Sequence, residues 1–200
     1  MARYNAKQVK ELILQIVETE DGGEQIYLAA IGCAVNSDLK KEWGEYLEET
    51  RTHQRVIRDL AQKLKIDPEE QSPGRGVVHH LGQSLVKAIK MAATNATPDA
   101  AQLVACECVV LAETKDHQNW ELLGKVAEAA TGPEARLMKA AHEEVEQDED
   151  HHLYHTRGWC RELWIESLGL PAVLPPPEEV KEVETAIGAA RAEQGRDKML

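Results

Sequence analysis

The chain has 200 residues, and 35 acids against 23 bases give it a formal net charge of −12. That length suits one domain with a real core, and so acidic a chain is a poor ligand for nucleic acid or an anionic membrane. With no apolar run of about 18 residues and no signal-peptide pattern, it reads as a soluble, cytoplasmic protein that makes no membrane contact. Its four cysteines, Cys33, Cys106, Cys108 and Cys160, are too few and too scattered for a disulfide scaffold, and Cys106-x-Cys108 is not a zinc-knuckle spacing. Buried free thiols are the expectation.

The periodicity is helical throughout, with no convincing strand. Over 6–20, Val9, Leu12, Ile13 and Ile16 share a stripe that Asp21-Gly22-Gly23 is expected to interrupt. A second helix is read from Glu24 to Val35, and Asn36-Ser37-Asp38 reads as a tight connection with Ser37 as N-cap. A long helix follows over 38–65, ended by Ile66-Asp67-Pro68. Glu69 to Gly76 reads as a loop and 77–93 as a further helix with Val78, Leu81, Leu85 and Ile89 in phase. Thr97-Pro98-Asp99 combines a capping hydroxyl, a first-turn proline and an acid at the positive end of the helix dipole. The helix it opens runs to Thr131-Gly132-Pro133, and the next runs over 134–168 to Gly169 and Pro171. Pro175-Pro176-Pro177 then precedes a charged helix over 178–194.

The architecture expected from this is all-α. Residues 1–170 form a four-helix bundle of two antiparallel hairpins, with core helices at 24–36, 38–65, 99–131 and 134–168 and a helical crossover between the hairpins. Residues 171–200 form a proline-rich spacer and C-terminal helix. One long crossover is a ferritin-like arrangement, although helix packing alone also explains the apolar stripes.

The ten residues from Glu146 to His155 hold four carboxylates and three imidazoles. At about 100° per residue, Glu149 lies about 40° from Val145 and His152 about 20° to the other side, whereas Glu146, Asp150 and His151 lie about 100–140° away, toward solvent. Glu149-x-x-His152 therefore interrupts a core stripe of Met138, Ala141, Val145, Thr156, Trp159 and Leu163. On the 99–131 helix, Glu113 and His117 fall within about 60° of a stripe set by Leu103, Cys106, Val110, Thr114 and Gly124. On the 38–65 helix, Glu49 and His53 join Leu39, Tyr46, Ile57, Leu60 and Leu64. Counted from Gly132, Glu113 and His117 lie 19 and 15 residues before the turn, and Glu149 and His152 lie 17 and 20 after it, at one height. Counted from the Asn36/Ser37 turn, Glu24 and Glu49 are also level, which makes Glu24 the expected fourth carboxylate.

Four inward carboxylates must be protonated, paired with bases or bound to cations. Two divalent or trivalent metals balance them, and mixed His and Glu donors suit iron or manganese. Simpler roles are available to individual residues. Glu24 at a helix start favours the dipole, His117 suits hydrogen bonding behind a ligand, and Tyr46 and Trp159 suit packing. His79, His80 and His142 suit surface or structural positions, while Glu42 and Glu107 are competing carboxylates. A hemerythrin-like use of His142/Glu146 and His151/His155 places both pairs on one helix and mostly off its core stripe.

These residues resemble the ferritin-like di-iron carboxylate superfamily, in which two helices each give a Glu and two give Glu-x-x-His. The resemblance covers about 24–65 and 99–168. It implies Glu24 and Glu113 as the single carboxylates and Glu49/His53 and Glu149/His152 as the pairs, with His117 as an additional imidazole. It further implies two iron ions (or manganese) reacting with O2 or peroxide, as ferroxidase, peroxidase or substrate oxidase, in a protein that can be a homo-oligomer. Only Glu149-x-x-His152 has the family spacing, since Glu49 and His53 are four apart. The expectation from a different class is a non-catalytic helical interaction protein with an acidic surface.

Overall fold

A computed structural model describes residues 4–177 and shows five helices with no strand among them. They are α1 (Ala6–Cys33), α2 (Ser37–Lys63), α3 (Pro73–Asn95), α4 (Pro98–Ala129) and α5 (Pro133–Ser167). The expected helix over 178–194 lies outside the described residues. No helix among them is long and apolar enough to cross a membrane.

The caps set the register. Asn5 and Asn36 accept from the exposed first-turn amides of α1 and α2, so Asn36, not Ser37, closes the first hairpin. Thr97 occupies the N-cap of α4 without a side-chain cap bond, and Pro98 and the fixed turn do the starting. Gly132, at φ +93°, sits in the left-handed region that the α4–α5 turn needs.

Two expectations are corrected. The first helix does not stop at Gly22-Gly23 but runs through them. These glycines are packed helix on both sides rather than a break: a Cβ on Gly22 would sit at an ordinary 3.9 Å from the Gly82 Cα of α3, and one on Gly23 would sit 3.5 Å from the Thr50 methyl of α2. The third helix begins at Pro73, inside the expected loop, because Ser72 caps it and Glu11 accepts from both Ser72 Oγ (2.9 Å) and the Gly74 amide (3.0 Å). Arg75 anchors the same turn through Glu18, at 2.7 Å.

Helices α1, α2, α5 and α4 pack around a ring in that order, and α3 lies outside it against α1 and α4. Neighbours in the ring are antiparallel. Along α1, Thr19 and Val35 meet Asn119 and Gln102 of α4, and along α2, Glu42 and His53 meet Trp159 and Asp148 of α5. Because α2 and α4 point the same way, α3 is itself the crossover.

The core is divided. One apolar cluster fills the end lined by Ile13, Val17, Ile57, Trp120, Met138 and Val145. The other fills the end lined by Ile26, Leu39, Trp43, Val109, Trp159 and Leu163. Between them lies a layer of buried acids and imidazoles. Beyond α5 the described chain turns back over the second cluster, where Glu162 accepts from the Val173 amide (2.9 Å) and Pro176 O meets His155 Nε2 (3.3 Å).

Candidate metal centre

Each ring helix reaches the polar layer with residues on its buried stripe. Helix α1 contributes Glu20, in line with Ile13, Ile16, Val17 and Tyr27. Helix α2 contributes His53, and the buried residue three before it is Thr50. Helix α4 contributes Glu113 and Asp116, and α5 contributes Glu149 and His152. All six are buried, with Glu20 fully so.

Their ligand atoms fall into two overlapping groups, His53/Glu149/His152 and Glu20/Asp116/Glu149, each with donors within 4.8 Å of one another. Glu149 belongs to both. His53 Nδ1 lies 3.0 Å from Glu149 Oε1 and 3.8 Å from Glu20 Oε1. His152 Nδ1 lies 3.7 Å from Glu113 Oε2. Five of these inward atoms, Glu20 Oε2, His53 Nδ1, Glu113 Oε2, Asp116 Oδ1 and Glu149 Oε2, are buried without a hydrogen-bond partner. Buried polar atoms are nearly always satisfied, so five orphans facing one volume require an explanation.

The imidazoles are held from behind. His152 Nε2 meets Glu49 Oε2 at 2.8 Å, and His53 Nε2 meets Asp148 Oδ2 at 3.3 Å. Both outer carboxylates are partly exposed, so each fixes a ring and leaves its Nδ1 pointing into the bundle, the arrangement that orients metal-binding histidines. Trp120 Nε1 does the same for Glu20, donating to Oε1 at 2.8 Å and leaving Oε2 inward.

The electrostatics follow from this crowding. Burial holds the Glu20 carboxyl well above its ordinary value, and Asp116 and Glu149 add to the rise. Burial also raises Asp116, reinforced by Glu149 and Glu113, and raises Glu149, reinforced by Glu113. Burial lowers His53 despite its acidic neighbours. For His152 burial again favours the neutral ring, but the Glu49 bond with Glu113 and Glu149 outweighs it and the imidazole is raised. Among the described residues, no Lys or Arg ion-pairs with the four inner acids, whose recorded ionic contacts are His53 and His152.

Of the residues expected at the site, the structure brings together His53, Glu113, Glu149 and His152. Glu49 stands behind His152. His117 is buried but turned to the α5 flank, where its Nε2 meets Asp150 at 2.6 Å and its ring packs edge-on to Tyr154. Glu24 lies apart, bound to Arg51 (2.9 Å) and Gln54 (3.0 Å) on the outer side of the α1–α2 pair, and these bonds lower its carboxyl. Its place is taken by Glu20, one turn earlier, and Asp116 joins as a second acid from α4. Both signals were present. Glu20 stands sixteen residues before Asn36 and His53 sixteen after Ser37, so they are level once α1 is continuous.

Glu42 belongs to a separate network. It accepts from Tyr46 OH (2.7 Å) and Trp159 Nε1 (2.9 Å) and pairs with His155 Nδ1 (2.8 Å).

No protein-family profile matches the chain. No curated protein and no solved structure matches it. The class defined by fold and site is thus, over the described residues, an all-α arrangement of five helices with buried carboxylate and histidine groups able to hold a metal.

Proposed function

We propose that the chain is a ferritin-like two-metal carboxylate protein whose centre, a pair of iron ions with manganese as the alternative, reacts with O2 or peroxide. The observation that carries this reading is the set of five orphaned ligand atoms, contributed by all four ring helices, around the shared Glu149. Without a cation, those atoms are satisfied only if the inner acids hold protons and share them. Two divalent cations satisfy them and cancel the four inner carboxylates. The antiparallel ring with α3 as its long crossover supports the ferritin-like assignment.

Glu20, His53, Glu113, Asp116, Glu149 and His152 would hold the ions. Bound there, iron supplies electrons to a small oxidant. The protein's own contribution is positional. Glu49 and Asp148 orient the two imidazoles, Trp120 orients Glu20, and the apolar clusters on either side limit water. The donor pattern is this chain's own: α5 keeps Glu149-x-x-His152, α2 has Thr50 where a second such motif would have its acid, and α4 provides Glu113-x-x-Asp116.

The test is anaerobic Fe(II) titration of chelator-treated protein, followed by O2 or peroxide. About two equivalents should bind in wild type and fewer in Glu149→Ala. The absorbance and products after oxidant addition then distinguish ferroxidation, peroxide reduction and substrate oxidation. Protein that is metal-free as purified and refuses Fe(II) overturns the proposal.

A further inference from the structure

The two ligand groups differ in kind, which deepens the two-metal reading and rests on it. The first contains two imidazoles and one carboxylate, His53, His152 and Glu149. The second contains three carboxylates and no nitrogen, Glu20, Asp116 and Glu149. We infer that the centre is built for two unlike ions: a nitrogen-bearing position at His53 and His152 for a late first-row divalent ion, and an all-oxygen position at Glu20 and Asp116 for a harder one, with Glu149 between them.

Geometry separates the positions. His53 Nδ1 is nearer Glu149 (3.0 Å) than Glu20 (3.8 Å), and His152 Nδ1 faces Glu113 at 3.7 Å. Both nitrogens therefore lie toward the Glu149/Glu113 side. Asp116 forms no ion pair with a histidine among the described residues, and its Oδ1 is buried with no partner. It comes from α4 one turn beyond Glu113, toward Trp120 and the lower apolar cluster. Glu20 is aimed the same way by Trp120, which occupies Oε1 and leaves Oε2 available. Neither group is an exposed acidic cluster: each is composed of side chains more than nine-tenths buried.

Ligand chemistry then assigns the ions. Imidazole favours Zn(II) and Fe(II) strongly over Mn(II), whereas carboxylate oxygen suits Mn(II) and discriminates less against it. Glu20, Asp116 and the shared Glu149 give the oxygen position three carboxylates, against Glu113 and the shared Glu149 on the nitrogen side, which favours the more ionic partner there.

The probes are Zn(II) and Mn(II) on chelator-treated, full-length protein. One equivalent of Zn(II) is added first, followed by Mn(II). Zinc is followed by the ring resonances of 15N-histidine-labelled protein and manganese by the electron-spin signal of the free ion. The expected product holds one zinc and one manganese, with zinc moving the His53 and His152 resonances. His152→Ala should weaken Zn(II) by about tenfold or more and Mn(II) by less than about threefold, and Asp116→Asn should do the reverse. Thermal melts confirm that each variant folds, and the wild-type loading order stands without them. If both variants weaken both ions alike, or if zinc-loaded protein takes up no manganese, the positions are not specialised and the inference fails. Protein that binds neither ion overturns the two-metal reading itself.

Discussion

Replacing Glu149 by Gln should stabilise the metal-free protein and destabilise the metal-loaded one. Glu149 is 2% exposed, its Oε2 has no partner, and burial with the neighbouring Glu113 holds its carboxyl well above the ordinary range. The amide keeps the shape and can turn an N–H toward His53 Nδ1, 3.0 Å from the present Oε1, but removes the charge that the other inner acids oppose. An unsatisfied buried group of this kind costs about 1–3 kcal/mol. In a chain of this size 1 kcal/mol moves Tm by about 2–4 °C, so the metal-free variant should melt about 2–12 °C above metal-free wild type. With Fe(II) held anaerobically at about a hundred times its Kd, each of the two bound ions adds about 2.7 kcal/mol to wild type, and the variant loses that stabilisation. The assay is thermal unfolding by circular dichroism with chelator and with Fe(II). The expected order is loaded wild type, then metal-free variant, then metal-free wild type. A variant that melts below wild type under both conditions would mean that Glu149 is a structural hydrogen-bonding residue, and would refute the reasoning.

Three further outcomes follow from the same geometry. In chelator, Tm should fall as pH rises from about 5.5 to 8: Glu20, Asp116 and Glu149 are raised in the fold, so the native state holds protons the unfolded chain has released, and stability is lost with rising pH. Glu24 and Glu42 are lowered and contribute only as pH falls through the carboxylate range, while His53 and His152 shift in opposite senses and oppose each other; a Tm that rises over the interval contradicts the account. Glu24→Gln should leave Fe(II) stoichiometry unchanged and lower stability by less than about 1 kcal/mol, because its Arg51 pair is a partly exposed one; loss of an iron equivalent would return Glu24 to the centre. Gly22→Ala should stabilise the fold by about 0.5–1 kcal/mol in urea unfolding, since its Cβ meets only Gly82 Cα at an ordinary 3.9 Å, whereas Gly22→Leu should force α1 and α3 apart and destabilise it.

The helices were legible because long apolar stripes and polar caps are local signals. Their one serious misreading was local too. Two adjacent glycines lower helix propensity, and from sequence they look like a stop. The cost is met by packing that only the third helix reveals, since Gly82 approaches Gly22 from residues far along the chain. Breaking α1 there made 6–20 an accessory element, when it is half of a ring helix. It also left Glu20 stranded at a helix end and promoted Glu24, the next glutamate, which the structure gives to Arg51 and Gln54.

The site depended on phase, and phase depends on its reference. On α5 the reference was Val145, which is fully buried, and Glu149 and His152 followed from it. On α4 the stripe included Val110 and Thr114, which lie half-buried and exposed; the buried line instead runs through Ala105, Val109, Glu113, Asp116, Trp120 and Leu123. A rotation of about 100° separates neighbouring residues, so a reference wrong by one position exchanges Asp116 for His117. Composition biased the choice in the same direction, because a histidine near a glutamate looks more like a ligand than an aspartate does. Trp120 is the better reference: a large side chain must be buried somewhere, and Asp116 lies one turn from it on the same face. The four-residue step from Asp116 to Trp120, repeated on α1 between Ile16 and Glu20, marks where the apolar line of each helix gives way to acid. Two helices making that change at one level, with no Lys or Arg among the described residues ion-paired to those acids, point to a cation more directly than any Glu/His spacing does.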